Sequence, residues 1–236
     1  MNPERTLQVA PFGRSARFSI QGWEELRQAR PGPAELAVLR RIVDHLEPGD
    51  VVYDVGANIG FVSLVVAAHL DGPSASVHCF EPEPRNFESL VRNIGLNGPE
   101  GRVVPHRLAL GSEAGEAELF VRGGPGEGRH STVSPGRSDR SIRVPISTVS
   151  EVVDQLAPAP NVLKIDVEGG EGRVLAGMGP WLDGGGRLRE IFLEIHPRGE
   201  ADRMPKGEPI DEWLAGRGFS AVWEGKEGSR LHRHYR

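Results

Sequence analysis

The apolar residues of this chain fall into short continuous runs that alternate with longer segments of helical spacing. Val51–Val55 predicts a buried strand, and apolar positions at helical spacing predict helices over 31–47 before it and 59–70 after it. Two further strands, at 76–82 and 102–111, are separated by another such helix. Short strands that alternate with helices of about a dozen residues are typical of βαβ units. The pattern therefore predicts an α/β fold with a mostly parallel sheet covered by helices on both faces.

The alternation is interrupted after Gly111. The stretches EAELFV and SIRVPI predict two strands, and the loop between them, 123–141, is rich in glycine and arginine. A β-hairpin-like insertion is therefore expected over about 112–146. Two interpretations of its loop stay open, a substrate lid and an ordinary surface excursion.

The α/β alternation then resumes and ends in a different kind of edge. The fourth and fifth predicted strands are VLKI at 162–165 and LREIFLEIHP at 188–197, with a helix between them. The last two strands, FSAVWE and RLHRHY, follow one another closely, which predicts an antiparallel C-terminal edge on the parallel sheet. We assign residues 1–30 to an N-terminal extension and 31–236 to the main domain, and we expect RLHRHYR to be a solvated edge.

Composition and charge narrow the classes of function. With 38% hydrophobic and 26% charged residues in a chain of 236, the composition is typical of a soluble globular protein. A net charge of −5 disfavours nucleic acid as a partner. Because no apolar run is long enough to span a membrane and no secretory leader is recognisable, we expect a cytoplasmic protein without membrane contact. Cys79, the single cysteine, lies in an apolar run and is expected to be buried and inert.

Polar residues occur where the predicted strands end. In an open parallel sheet, ligands bind in the crevice beyond the carboxyl ends of the strands, near the point where the strand order reverses. These ends carry Asp54 after the first strand, Glu81 after the second, Ala109–Gly111 after the third, Asp166 and Glu168 after the fourth, and Glu194 and His196 after the fifth. The sequence therefore predicts one binding site along this edge.

The residues of the first turn, DVGANIG, indicate which kind of nucleotide or nucleoside ligand the site would bind. The turn contains only Gly56 and Gly60, and Asp54 stands at its mouth, where a carboxylate would repel a pyrophosphate. Glu81 ends the second strand, a position from which an acidic side chain can accept hydrogen bonds from both ribose hydroxyls. These features disfavour a nicotinamide dehydrogenase and predict a nucleoside with a cationic tail that lacks phosphate. S-adenosylmethionine fits that description.

Five stretches resemble a known family in order and spacing. They are GDVVYDVGANIGFVSL, FEPEPRNFESLVRNIGLN, VPISTVSEVV, VLKIDVEGGEGRVLAGM and IFLEIHP, and together they cover about residues 34–197. This combination resembles the FkbM-type S-adenosylmethionine-dependent methyltransferases. The resemblance implies a Rossmann-like class I methyltransferase fold with a seven-stranded sheet. It also implies O-methylation of a small molecule, such as a sugar or a natural-product intermediate.

The resemblance also assigns roles to residues of the predicted edge. The first turn would line the methionine part of the cofactor, Glu81 would hold the ribose, and the HSTV stretch of the insertion loosely matches the middle of the family's pattern. The implied cofactor residues are Asp54, Gly56, Asn58, Gly60, Glu81, Pro82, Asn86, Ala109 and Leu110, and the implied substrate residues are His130, Ser131 and Thr132.

Methyl transfer requires an acceptor in line with the sulfonium methyl and, for a hydroxyl, a group that takes its proton. The predicted catalytic residues are Asp166 and Glu168 after the fourth strand and Glu194 and His196 after the fifth. Asp166 is also expected beside the sulfonium of the cofactor. His196 is favoured as a general base because a neutral imidazole can take a proton near pH 7. A divalent cation such as Mg²⁺, held by the carboxylates and the histidine, is the less favoured alternative.

Several interpretations stay open. Lys164 shares a strand face with Asp166 and is expected either to contact substrate or to pair with a carboxylate. Glu171 is assigned to the start of the next helix, where negative charge suits the helix dipole. N-methylation, peptide or carboxylate methylation, and a non-catalytic nucleoside-binding module are the alternative functions. A homodimer is the expected assembly, since twofold dimers are the commonest oligomers.

Overall fold

A central sheet of seven strands organises the chain. The computed structural model describes residues 5–98, 102–121, 140–196 and 202–236. The strands are β1 (Arg5–Val9), β2 (Ala16–Ile20), β3 (Val51–Val55), β4 (Ser76–Phe80), β5 (Val103–His106), β6 (Ala109–Leu110), β7 (Gly115–Val121), β8 (Arg140–Ser147), β9 (Val162–Ile165), β10 (Glu190–Ile195), β11 (Ala221–Glu227) and β12 (Arg230–Tyr235). The α-helices are α1 (Trp23–Gln28), α2 (Pro33–Asp44), α3 (Phe61–His69), α4 (Pro84–Leu96), α5 (Val149–Gln155), α6 (Glu171–Asp183) and α7 (Ile210–Ala215).

The central sheet has the strand order β11-β12-β10-β9-β3-β4-β5. The strands from β10 to β5 run parallel, whereas β12 and β11 add antiparallel at one side. From β3 the chain extends the sheet through β4 and β5, and it later returns to the other side of β3 with β9 and β10. The strand order therefore reverses between β3 and β9, where such sheets bind ligands. The prediction of a mostly parallel seven-stranded sheet with an antiparallel C-terminal edge is confirmed.

Both faces of the sheet are covered because side chains alternate along each strand. Tyr53 and Leu163 belong to the core cluster that also contains residues of α5 and α6. Val52, Val162 and Phe192 belong to the second cluster, which contains residues of α2 and α3. Polar residues an even number of positions after Val52, Val162 or Phe192 point to the same face of the sheet as these residues, which is the face covered by α2 and α3.

The predicted hairpin insertion is present as β7 and β8, which pair antiparallel. β8 also pairs in parallel with β6, so a separate three-stranded sheet has the order β6-β8-β7. The stretch 102–111, predicted as one strand, is therefore divided between the two sheets. The backbone N–H of Leu108 donates to the carbonyl of His106 at 3.0 Å, which closes a tight turn between β5 and β6.

Residues 5–30 pack directly on the rest of the fold. β1 and β2 form an antiparallel hairpin. Phe18 of β2 is fully buried and stacks on Phe61 of α3, with ring centroids 5.5 Å apart. The backbone N–H of Ser19 donates to Oδ1 of Asn93 in α4 at 2.8 Å. The boundary at residue 30 stays a prediction, but the segment before it shares a hydrophobic core with the segment after it.

The expectation that RLHRHYR forms a solvated edge is wrong. β12 lies between β10 and β11, so β11 is the outer strand. The side chains of His232 and His234 are buried, and His234 Nε2 is hydrogen-bonded to the buried Glu190. A run of alternating basic and apolar residues does not reveal that a further strand will cover it. The mistake therefore concerns the order of strands rather than the secondary structure.

Two further expectations concern single features of the chain. Cys79 is fully buried in β4, and burial raises the pKa of its thiol, as expected of an inert cysteine. In the described parts of the chain, none of the helices has the length and apolar character needed to cross a membrane.

Candidate active site

A cavity of about 610 Å³ opens at the carboxyl ends of β3, β4, β9 and β10, a size usual for small-molecule sites. It lies where the strand order reverses. Eleven of the predicted site residues line it: Gly56, Asn58, Glu81, Pro82, Asn86, Ala109, Leu110, Lys164, Asp166, Glu168 and Glu194. Asp54 and Gly60 lie behind its wall, and His196 lines a smaller adjoining cavity that shares Glu168 and Arg230 with the first.

The turn after β3 depends on backbone conformations that favour glycine. Gly56 has a φ of 80°, and a Cβ at this position would lie 1.9 Å from the backbone oxygen of Asp166. Gly60 has a φ of 88°, and its Cβ would lie 2.5 Å from Leu90, so Gly60 allows helix packing rather than ligand contact. Asn58 has a φ of 51°, which asparagine tolerates better than most residues. Its Oδ1 is buried and has no hydrogen-bond partner in the described structure.

Asp54 supports this turn from below instead of lining the cavity. Its buried carboxylate accepts a hydrogen bond from Ser63 of α3 and lies 3.0 Å from Nζ of Lys164. Lys164 in turn donates to the carbonyl of Gly56 at 3.3 Å. Burial alone would lower the pKa of Lys164, but the charges of Asp54 and Asp166 outweigh burial and raise it. Asp54 and Lys164 therefore form a buried ion pair that joins the ends of β3 and β9.

Glu81 is the acidic group at the end of β4. Its Oε2 accepts a hydrogen bond from the backbone N–H of Asn58 and its Oε1 from that of Glu83, both at 2.9 Å. Burial raises the pKa of Glu81 to about 7, although these two hydrogen bonds act in the opposite direction. Each carboxylate oxygen has a second lone pair. The side chain is thus held in place with acceptor capacity left for a ligand in the cavity.

The remaining predicted cofactor residues continue the wall beyond Glu81. Glu83 caps α4 by accepting a hydrogen bond from the backbone N–H of Asn86 at 2.8 Å, which fixes Asn86 beside the cavity. The short strand β6 brings Ala109 and Leu110 to the same wall. β6 therefore adds an apolar surface to this end of the cavity.

Beside the other end of this cavity, in the smaller adjoining one, His196 is surrounded by four carboxylates. Its Nδ1 is hydrogen-bonded to Oε1 of Glu171 at 3.1 Å. Its Nε2 lies 3.3 Å from Oε1 of Glu194, 3.5 Å from Oε1 of Glu168 and 3.7 Å from Oδ1 of Asp166. The imidazole is only 4% exposed. The structure thus brings the four predicted catalytic residues together.

The charges of this cluster change the chemistry expected of His196. Burial alone would lower its pKa, but contacts with Glu171 and Glu194 and the charges of Asp166 and Glu168 outweigh burial and raise the pKa to about 11. Without a further ligand, the imidazole is therefore protonated near pH 7. The raised pKa disfavours a neutral imidazole poised as a general base, and the sequence did not show how many carboxylates surround the ring. Burial and the neighbouring Glu194 charge raise the pKa of Asp166.

Sequence reasoning missed three members of this cluster. Glu171 begins α6, as expected, but its side chain also orients His196. Arg230 approaches Glu194 to 3.2 Å and His232 approaches it to 3.6 Å. Both belong to β12, and the register that pairs Glu194 with His232 brings them there. No local signal in the sequence reveals this pairing. The predicted substrate residues His130, Ser131 and Thr132 lie outside the described residues.

The fold and the cavity define a class of protein, a Rossmann-like fold with a cavity at the reversal of its parallel sheet, where such folds bind ligands. Residues 54–221 match a family model described as the methyltransferase FkbM domain. The chain is 32% identical over 185 residues to hexuronic acid methyltransferase AglP of Haloferax volcanii, which covers 78% of this chain and 72% of AglP. It is also 32% identical over 212 residues to 31-O-demethyl-FK506 methyltransferase FkbM of Streptomyces tacrolimicus, which covers 76% of each chain.

Solved structures agree on the fold. Methyltransferase FkbM from Methylobacillus flagellatus matches with a TM-score of 0.50 and 13% identity over 87% of this chain and 56% of its own. A protein of the NADB-Rossmann superfamily from Streptococcus agalactiae matches with a TM-score of 0.50 and 12% identity over 84% of this chain and 67% of its own. The chain belongs to the FkbM methyltransferase family. It is a methyl-transferring enzyme with S-adenosylmethionine as its cofactor.

Proposed function

We propose that this enzyme methylates a hydroxyl group of a small polar metabolite, a sugar or a natural-product intermediate. The observation that carries the proposal is that one cavity joins Glu81 and the Asn58 turn to the carboxylates of Asp166, Glu168 and Glu194. A nucleoside site and a set of proton acceptors therefore face the same space. The relatives named above act on a hexuronic acid and on 31-O-demethyl-FK506, which supports a small oxygen-containing acceptor.

The residues around the cavity fit S-adenosylmethionine. Glu81 would accept hydrogen bonds from the ribose hydroxyls, and the apolar wall formed by Ala109 and Leu110 would hold the adenine. The buried, unpartnered Oδ1 of Asn58 is an acceptor for the ammonium group. The bound cofactor supplies a methyl group on a sulfonium, which is an electrophile. Gly56 keeps side-chain atoms away from the point where β3 meets Asp166.

The carboxylates at the floor would orient the acceptor and hold its proton. Asp166 and Glu168 line the cavity, so an acceptor hydroxyl can donate a hydrogen bond to either of them. Lys164 holds the end of the strand that carries Asp166 and neutralises Asp54. The negative floor favours a hydroxyl over a carboxylate as the reacting group, because a carboxylate there would be repelled, whereas the hexuronic acid of the relative carries both groups. The same floor would also attract an ammonium group, which makes an amine the second candidate acceptor.

A methyl-transfer assay with matched acceptors tests the proposal. The enzyme is incubated with methyl-labelled S-adenosylmethionine and with sets of sugars that differ only in carrying a hydroxyl, an amine or a carboxylate. The expected result is label on oxygen in a neutral hydroxylated acceptor, identified by mass spectrometry and NMR. Asp166→Asn should lower kcat by about 10²-fold or more, whereas Asp154→Asn, an exposed carboxylate on α5, serves as the control. Label found only in amines or methyl esters would contradict O-methylation.

A further inference from the structure

We propose that Asp166, Glu194 and His196 form a binding site for one divalent transition-metal cation at the floor of the methyl-transfer cavity. The binding site itself is argued from the geometry of these side chains, while its role in catalysis rests on the proposed function. Each of the three residues offers one ligand atom, and these atoms all lie within 4.8 Å of one another. Glu194 lies in β10, while Asp166 and His196 directly follow the last residues of the adjacent parallel strands β9 and β10.

The distances around His196 Nε2 suit a shared metal better than hydrogen bonds. Nε2 lies 3.3 Å from Glu194 and 3.7 Å from Asp166, longer than the roughly 2.7–3.2 Å that is most common for N–H···O bonds. Metal bonds to histidine and carboxylate are about 2.1 Å long, so two ligands at a tetrahedral angle lie about 3.4 Å apart. Glu168, at 3.5 Å from the same atom, is placed to be a further ligand.

The second observation is a buried nitrogen that makes no hydrogen bond. Nε2 of His196 is buried and makes no hydrogen bond in the described structure, although it points into the group of carboxylates. A buried polar atom without a hydrogen bond costs about 1–3 kcal/mol unless a ligand satisfies it. A divalent cation at the centre of the carboxylates would displace the proton that Nε2 carries near pH 7 and would bind the lone pair thus freed.

The third observation is the partner on the opposite side of the ring. Nδ1 of His196 is hydrogen-bonded to Glu171, and Glu171 also accepts a hydrogen bond from the backbone N–H of Gly169 at 3.1 Å. Histidines that bind metals commonly donate their other ring N–H to a carboxylate, which fixes the ring and its tautomer. Glu171 would thus act as a positioning residue that presents the Nε2 lone pair to the metal.

The donor set indicates the class of metal. Imidazole is a common ligand of first-row transition metals, whereas Mg²⁺ and Ca²⁺ prefer oxygen ligands alone. One imidazole with two or three carboxylates therefore fits Mn²⁺ or Zn²⁺. Asp166 lines the methyl-transfer cavity, so an acceptor oxygen could complete the coordination and be held close to the cofactor.

Electron paramagnetic resonance with Mn²⁺ as the probe tests the site directly. The chain is stripped of metal with a chelator and titrated with MnCl₂, and the six-line signal of free Mn²⁺ is followed. One Mn²⁺ should bind per chain, and the bound ion should show pulsed-resonance coupling to one imidazole nitrogen. His196→Gln should abolish this coupling and, like Glu194→Gln, weaken binding at least tenfold. Glu171→Gln should weaken binding about tenfold, as for other partners of metal-bound histidines.

Asp154→Asn is the matched control, since it removes an exposed carboxylate on α5 and should bind Mn²⁺ like the wild type. Circular dichroism checks that each variant is folded. If the variants do not fold, the pulsed-resonance spectrum of Mn²⁺ bound to the wild type still tests the proposal. Bound Mn²⁺ without coupling to an imidazole nitrogen would overturn it. Unchanged binding in folded His196→Gln would overturn it as well. S-adenosylhomocysteine titrations of the same samples separate this failure from failure of the proposed function. Glu81→Gln should weaken the binding of S-adenosylhomocysteine and leave the binding of Mn²⁺ unchanged.

Discussion

The pKa of Glu81 predicts that cofactor affinity depends on pH between 6 and 8. Burial raises this pKa from 4.5 to about 7, against the hydrogen bonds from the backbone N–H groups of Glu83 and Asn58. The nearby charges act in opposite directions, since Glu83 raises the pKa and Lys164 lowers it. Burial also lowers the pKa of the His106 imidazole, on the neighbouring strand.

The ionised carboxylate can accept hydrogen bonds from both ribose hydroxyls, whereas the protonated acid loses part of that capacity. For a pKa of about 7, the ionised fraction falls from about nine-tenths at pH 8 to about one-tenth at pH 6. If the ligand binds only the ionised form, its dissociation constant rises about tenfold over that interval, which corresponds to about 1.4 kcal/mol. Ligand binding should in turn lower the pKa of Glu81.

Isothermal titration calorimetry with S-adenosylhomocysteine at pH 6, 7 and 8 measures this dependence. Glu81→Gln keeps the shape but cannot ionise, so its affinity should be weaker at pH 8 and should lose this tenfold change. Glu88→Gln, an exposed glutamate on α4, should retain the wild-type profile. Equal affinity of the wild type at pH 6 and pH 8, or an unchanged slope in Glu81→Gln, would refute the role of Glu81.

Three further changes test the scaffold of the site, with urea denaturation as the common measurement. Gly56→Ala should abolish S-adenosylhomocysteine binding and lower stability by about 2 kcal/mol or more, because its Cβ would lie 1.9 Å from a backbone oxygen at a φ of 80°; full binding would contradict this. Lys164→Met should cost about 3–5 kcal/mol by leaving buried Asp54 uncompensated, and adding Asp54→Asn should recover part of it. Phe18→Ala should cost about 3–5 kcal/mol in a single cooperative transition. A separate early transition would instead mean that residues 5–30 unfold on their own.

The sequence predicted the sheet and the location of the site well, because both follow from local patterns. Apolar runs marked β3, β4, β9 and β10, and the polar residues that follow them had to meet at one edge of a parallel sheet. The sequence did not predict the division of 102–111 into β5 and β6, because Arg107 and Leu108 are not residues that strongly favour a turn. The position of β12 inside the sheet depends on where β11 adds, and strand order is not a local property.

The chemistry of individual site residues was harder to predict than their location. Asp54 carries the family signature, yet it pairs with Lys164, because parity on β3 and β9 places both on one face. The charge state of His196 depends on Glu171, which comes from the start of α6, as well as on its sequence neighbour Glu194. Burial and charge at a given atom depend on several secondary-structure elements at once. A motif therefore shows which residues come together, but not their protonation states or ion-pair partners.

The most direct test of the central claim is the structure of this enzyme with S-adenosylhomocysteine bound. The ribose hydroxyls should lie within hydrogen-bond distance of both carboxylate oxygens of Glu81, and the ammonium should contact Oδ1 of Asn58. The sulfur should face Asp166, across the cavity from the adenine wall. A nucleoside bound elsewhere, or one whose sulfur points away from Asp166, would contradict the assignment of this cavity as the methyl-transfer site.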